Sequence, residues 1–323
     1  NTGYTFSGWS GEGVTDTDAA STTVSMTADR SVSASFTLNT HTLSVSAGTG
    51  GSVSGGGNYG FGTIANITAT ANPGYTFSGW SGEGVTDTDA ASTTVSMTAD
   101  RSVSASFTLN NHTLSLAAGT GGTVSGGGNY GFGTSANITA TANTGYTFSG
   151  WSGVGMTDTN TANTTVSMTA DRSVSASFTL NNHTLSLSAG TGGTVSGGGN
   201  YGYGTSANIT ATANTGYTFS GWSGVGVTDT DAASTTVSMT ADRSVSASFT
   251  LNNHTLTLSA GTGGTVSGGG SYGYGTSANI TATPNTGYTF SGWSGVGMTD
   301  TDAASTTVSM TADRSVSGSF TLN

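Results

Sequence analysis

Gly74-Tyr75-Thr76-Phe77-Ser78-Gly79-Trp80-Ser81-Gly82 is written five times in this chain, with its tryptophan at Trp9, Trp80, Trp151, Trp222 and Trp293. The spacing is 71 residues each time, and an Ala-Asp-Arg-Ser-Val-Ser stretch some 20 residues downstream keeps the same period. A period of this length without insertions denotes a string of similar small domains rather than one large fold. Function then comes from multiplicity, length or a repeating surface, and a single catalytic cleft is disfavoured.

The 323 residues divide into a leading fragment, 1–39, and four full repeats, 40–110, 111–181, 182–252 and 253–323. Asn1 takes the position of Asn72 in the next copy, so the chain opens in mid-repeat and reads as a segment of a longer protein. No apolar run is long enough to cross a bilayer as a helix. Seventy-one residues make a thin domain. At about 1.5–3 kcal/mol for each large side chain buried, the gain only just exceeds the ordering entropy, and contacts between neighbouring repeats are expected to add to it.

Within one repeat, helix formers are scarce and strand signals plentiful. Leu43, Val45 and Ala47 alternate with polar partners, as do Ile67, Ala69 and Ala71, and again Val103, Ala105, Phe107 and Leu109. Gly50–Gly57 reads as a short strand or turn, and Asn72-Pro73-Gly74 as a turn. Thr93–Met97 and Ser102–Leu109 read as a hairpin about Thr98-Ala-Asp-Arg101. The expectation is five or six mainly antiparallel strands with one face solvated.

Cysteine is absent, so no disulfide staples the repeats. Lysine is absent too, which rules out a Lys–Asn isopeptide cross-link. The basic residues are Arg30, Arg101, Arg172, Arg243 and Arg314, against a net charge of −11. Without a basic patch, nucleic acid and anionic membranes are poor partners. A polar, cysteine-free repeat of this kind suits an extracellular or cell-surface setting.

The order Gly-x-Val, Tyr-x-x-Gly-Thr, Ile-x-Ala-x-Ala, Gly-Tyr-x-Phe-x-Gly-Trp-Ser-Gly, Val-x-Met and Asp-Arg-Ser-Val-x-Ala-x-Phe resembles the divergent internalin-B-type bacterial repeat, in register in every copy. The family usually carries Lys where this chain has Arg. The resemblance implies small β-grasp-like or sandwich-like units serving as stalks, spacers or adhesive regions of secreted and surface proteins, sometimes beside a hydrolase. The expected fold class is therefore all-β: a tandem array of mainly antiparallel β-domains, as beads on a string or a packed filament.

Candidate chemistry is sparse. His41, His112, His183 and His254 each open a strand with no carboxylate close in sequence, and read as solvated strand ends. Glu12 and Glu83 become Val154, Val225 and Val296 in later copies, which suits surface residues rather than a repeated general acid. The metal candidates are the Asp-x-Asp pairs Asp16/Asp18, Asp87/Asp89, Asp229/Asp231 and Asp300/Asp302, with Asp158/Asn160 in the remaining copy. Alternating loop oxygens suit calcium, which takes six to eight of them. The competing reading is an aspartate bonding its own turn backbone. Tyr59, Phe61, Tyr75, Phe77 and Trp80 read as core, with a sugar-binding platform as the alternative. The function expected is a non-enzymatic stalk or self-assembling filament segment that associates into fibres. The alternatives are an adhesin binding a glycan or cell-surface ligand, and a non-catalytic appendage of a secreted hydrolase.

Overall fold

The computed structural model describes residues 1–323 and contains no helix; thirty strands account for its regular structure. The leading fragment supplies β1 (Tyr4–Ser10) and β2 (Ser33–Leu38), an antiparallel pair. The first full repeat supplies β3 (Thr40–Ala47), β4 (Gly51–Ser54), β5 (Gly57–Gly60), β6 (Thr63–Ala71), β7 (Tyr75–Ser81), β8 (Ser92–Met97) and β9 (Arg101–Leu109). These seven form two sheets, in the orders β5-β3-β9-β7 and β4-β6-β8, and the same orders recur in the later repeats. By its internal contacts the chain divides into two compact units: Asn1–Ala142 with Phe148–Phe178, and Asn143–Thr147 with Thr179–Asn323.

Both sheets give one face to a shared core. Leu43 of β3, Ile67 of β6, Val95 and Met97 of β8, Val103 of β9 and Trp80 of β7 belong to one buried cluster. The cluster recurs around Trp151, Trp222 and Trp293. Of the two arrangements expected, this is the sandwich; a β-grasp places a helix across its sheet, and no segment here has the periodicity to make one.

The quoted motif explains how Trp80 reaches that core. Strict alternation from Phe77 would turn Gly79 inward and Trp80 to solvent. Instead the register with β9 shifts between Phe77↔Phe107 and Gly79↔Ser106, so Ser78 is an extra residue. Gly79 takes φ +141°, which a side chain rarely adopts. The bulge resets the phase, and Trp80 lands opposite Ala105 on the same face as Phe77. The indole N–H then donates to Ala90 O at 3.1 Å.

Two expectations need correcting. Each full repeat has seven strands, because Gly57–Gly60 forms a strand of its own beside β3. β8 and β9 are not a hairpin: β8 pairs with β6, β9 pairs with β3 and β7, and residues 98–100 cross from one sheet to the other. Ile64, an apolar residue of β6, points outward and is 68% exposed. Serine holds that position in the later copies, at Ser135, Ser206 and Ser277.

Candidate functional site

A feature that recurs at every junction is the seam between one repeat and the next. β9 ends at Leu109 and β10 (Asn111–Ala118) opens the following repeat, leaving Asn110 alone between them. Three bonds fix that residue. Its N–H donates to Gly74 O at 2.8 Å, its carbonyl accepts the Phe132 N–H at 2.8 Å, and its side-chain oxygen accepts the Thr76 hydroxyl at 2.6 Å.

Around Asn110 the two repeats interlock. The Phe132 ring lies so close over Gly74 that a β-carbon there would overlap Phe132 Cδ1, and Gly74 itself turns at φ +82°. Leu109 lies over Gly131 in the same way, less tightly. In the first unit the same set joins Asn39, Gly3 and Phe61. In the second unit it joins Asn181, Gly145 and Tyr203, and again Asn252, Gly216 and Tyr274. Phe61 is thus a seam residue, whereas Trp80, Phe77 and Tyr59 pack in or on the core. Tyr75 lies against Gly50 within its own repeat.

The histidines flank this seam. The His41 ring packs on Phe61 with centroids 6.0 Å apart, and His41 Nδ1 lies 3.4 Å from Asp100 Oδ1. The histidine side chain is only 23% exposed, so the expectation of a solvated strand end is corrected: parallel pairing of β3 with β9 brings in a carboxylate from 59 residues downstream. The pair recurs as His112–Asp171, His183–Asp242 and His254–Asp313. Asp100 also accepts the Thr42 N–H at 2.8 Å. That bond first, and the imidazole second, hold its carboxyl below the ordinary carboxylate range, and the other three aspartates are lowered for the same reasons. The sequence held one signal of this, since every full repeat pairs one histidine with one Asp-Arg; the spacing alone could not show them to be neighbours.

The Asp-x-Asp loops are exposed. Asp87 Oδ1 accepts the N–H of Asp89 at 2.9 Å and of Ala90 at 3.2 Å, so it closes its own turn. Asp16, Asp229 and Asp300 do likewise, each reaching the N–H of its partner Asp18, Asp231 or Asp302. Asp158 bonds the Asn160 N–H in the remaining copy. No group of three or more His, Asp or Glu side chains converges anywhere in the chain.

Glu83 reaches the Arg101 guanidinium at 2.8 Å, and Glu12 reaches Arg30 at 2.5 Å. Where valine replaces glutamate, the arginine Nε bonds a backbone carbonyl instead, as Arg172 does to Ser167 O at 3.3 Å. In the two glutamate copies that Nε is buried and unpaired. The exchange trades one exposed ion pair for one backbone bond, a small difference on the surface.

A family model described as the divergent InlB B-repeat domain matches residues 1–40, 41–111, 112–182, 183–253 and 254–323. Among solved structures, the Bacillus anthracis TIE protein is similar at 8% sequence identity and a TM-score of 0.39. The match covers 81% of this chain and 61% of that one. No curated protein matches the chain.

Proposed function

The chain belongs to the divergent InlB B-repeat family along its whole length, and on that premise we propose that it is a non-enzymatic spacer of a bacterial surface protein. The observation that carries this reading is the seam. A one-residue link, bonded three ways and locked by a ring over a glycine, holds neighbouring repeats in one relation. Such a link sets distance and direction, where a flexible linker would set neither.

The sheet edges favour a spacer over a laterally associating fibre. The loop after β7 bonds that strand through Trp80 N–H to Thr88 O and bonds β8 through Thr86 N–H to Thr94 O. The remaining edges, β4 and β5, are only four residues each. Short or covered edges give a second chain little to pair with. An aromatic sugar platform also has little support, because most rings of the full repeats are engaged in cores and seams and Tyr75 packs on Gly50 of its own repeat.

The test is length against copy number. Arrays of two, three and four full repeats, measured by small-angle X-ray scattering, are expected to lengthen by a constant increment per repeat and to stay monomeric. A maximum dimension that levels off would refute a spacer. Mass that grows with concentration would indicate self-association instead, and binding to an arrayed glycan panel would indicate an adhesin.

A further inference from the structure

Each full repeat begins on one strand and ends on that strand's immediate neighbour, and the two run parallel. β3 and β9 pair as Leu43↔Arg101, Ser44↔Ser102, Val45↔Val103, Ser46↔Ser104 and Ala47↔Ala105. The Gly48 N–H extends the ladder to Ala105 O at 2.8 Å. Three residues of β3 precede the paired stretch, and four residues of β9 run on beyond it.

A pull on the chain from outside therefore grips β3 at its start and β9 at its end, which lie at opposite ends of the pair. The strands can part only by sliding along each other, with all rungs loaded together. An antiparallel hairpin pulled at its open end gives way one rung at a time. β9 is held on its other side by β7, from Tyr75↔Leu109 to Ser81↔Ser104, so it cannot peel sideways first. Val103 and Ala105 of β9 and Leu43 of β3 are buried in the core, and sliding the pair drags them through packed side chains. The same parallel pairing joins Leu114–Ala118 to Arg172–Ala176, Leu185–Ala189 to Arg243–Ala247, and Leu256–Ala260 to Arg314–Gly318. Asn110, alone between β9 and β10, passes load from one such pair to the next without slack.

We propose that each repeat is a shear-loaded clamp, and that the array bears tension between whatever it connects. The chain has no cysteine and no lysine for a covalent staple, so the ladder and the core beneath it carry the load. This goes beyond the spacer reading, since a spacer need only keep a distance. It also stands within a single repeat, so the two readings fail separately.

The experiment is single-molecule pulling of the full chain in two directions. Pulled through its ends, the chain should give one force peak for each full repeat, each releasing roughly 250 Å less the folded span, from about 3.5 Å for each residue. The absence of native cysteine lets Thr49→Cys and Thr108→Cys, both exposed, serve as unique handles at one end of the β3–β9 pair. Because forced unfolding reads the barrier rather than the equilibrium stability, rupture through these handles is expected at a force lower by at least about a factor of two. Equal forces in the two directions would overturn the proposal. Should these substitutions disturb the fold, Thr262→Cys with Thr321→Cys places the same handles in the last repeat, and the circular dichroism of each variant shows whether it is folded.

Discussion

Gly74 sits where a turn and an aromatic ring claim the same space, and Gly62 offers its natural control. Both have φ near +80°, but Gly74 lies beneath Phe132 while Gly62 faces open space. Alanine at either position strains the backbone; only at Gly74 must it also displace a ring. Gly74→Ala is expected to cost about 1–3 kcal/mol more than Gly62→Ala, the usual penalty for overpacking, as read by urea unfolding. Equal costs would mean the ring moves aside freely. A second expectation concerns acid. Asp100, Asp171, Asp242 and Asp313 are held below the ordinary carboxylate range. Their contribution is therefore complete above the unfolded value of about 3.9 and is lost as the pH falls through the lower folded value. Thermal unfolding from pH 5 down to pH 2 should show falling stability, with a shallower fall when all four are replaced by asparagine. Calcium is expected to leave the melting temperature unchanged, since Asp87 and its counterparts bond their own turns and no third carboxylate joins them. A rise with calcium that disappears in Asp87→Asn would restore the loops as ligands.

At the scale of elements, what the sequence conveyed and what it withheld divide along one line. Alternation in Leu43–Ala47, Ile67–Ala71 and Val103–Leu109 placed those strands and their inward faces, because period-two patterning is local. Pairing is not local. Nothing in Thr98-Ala-Asp-Arg101 distinguishes a hairpin turn from a crossing between sheets, so the sequence alone does not show that β8 pairs with β6 and β9 with β3. β5 is not legible in the sequence because Gly57-Asn-Tyr-Gly60 has a single large side chain and so no alternation to read. The histidine–aspartate neighbours and the ring over Gly74 depend on those long-range pairings and were hidden with them. The topology carries its own expectation. β9 lies between β3 and β7, whereas β4 and β5 are four-residue edges, so amide hydrogen exchange should be slowest in β9 and fast in β4 and β5. Met97, wholly buried where β8 meets the core, should cost about 2–5 kcal/mol when replaced by alanine.

For the chain as a whole, stability is a sum over repeats plus a contribution from each seam. Because each seam combines backbone bonds with a ring over a glycine, neighbours within a unit are expected to melt together on heating, even though each repeat yields singly under a pull along the chain. Phe132→Ala removes the ring from one seam and leaves the core around Trp80 untouched. Calorimetry should then show the van't Hoff enthalpy falling relative to the calorimetric one as the cooperative unit shortens. An unchanged ratio would mean the repeats were independent from the start.

The seam also speaks to heredity. It accepts Phe61 and Phe132 in two places and Tyr203 and Tyr274 in two others, over glycines set in the same frame. Near-identical copies in a gene invite unequal crossing-over. Any exchange offset by whole periods rebuilds every asparagine, glycine and ring in its proper place, while any other offset destroys them. Lineages are thus free to gain or shed copies in single steps, and selection can act on reach without having to remake a fold.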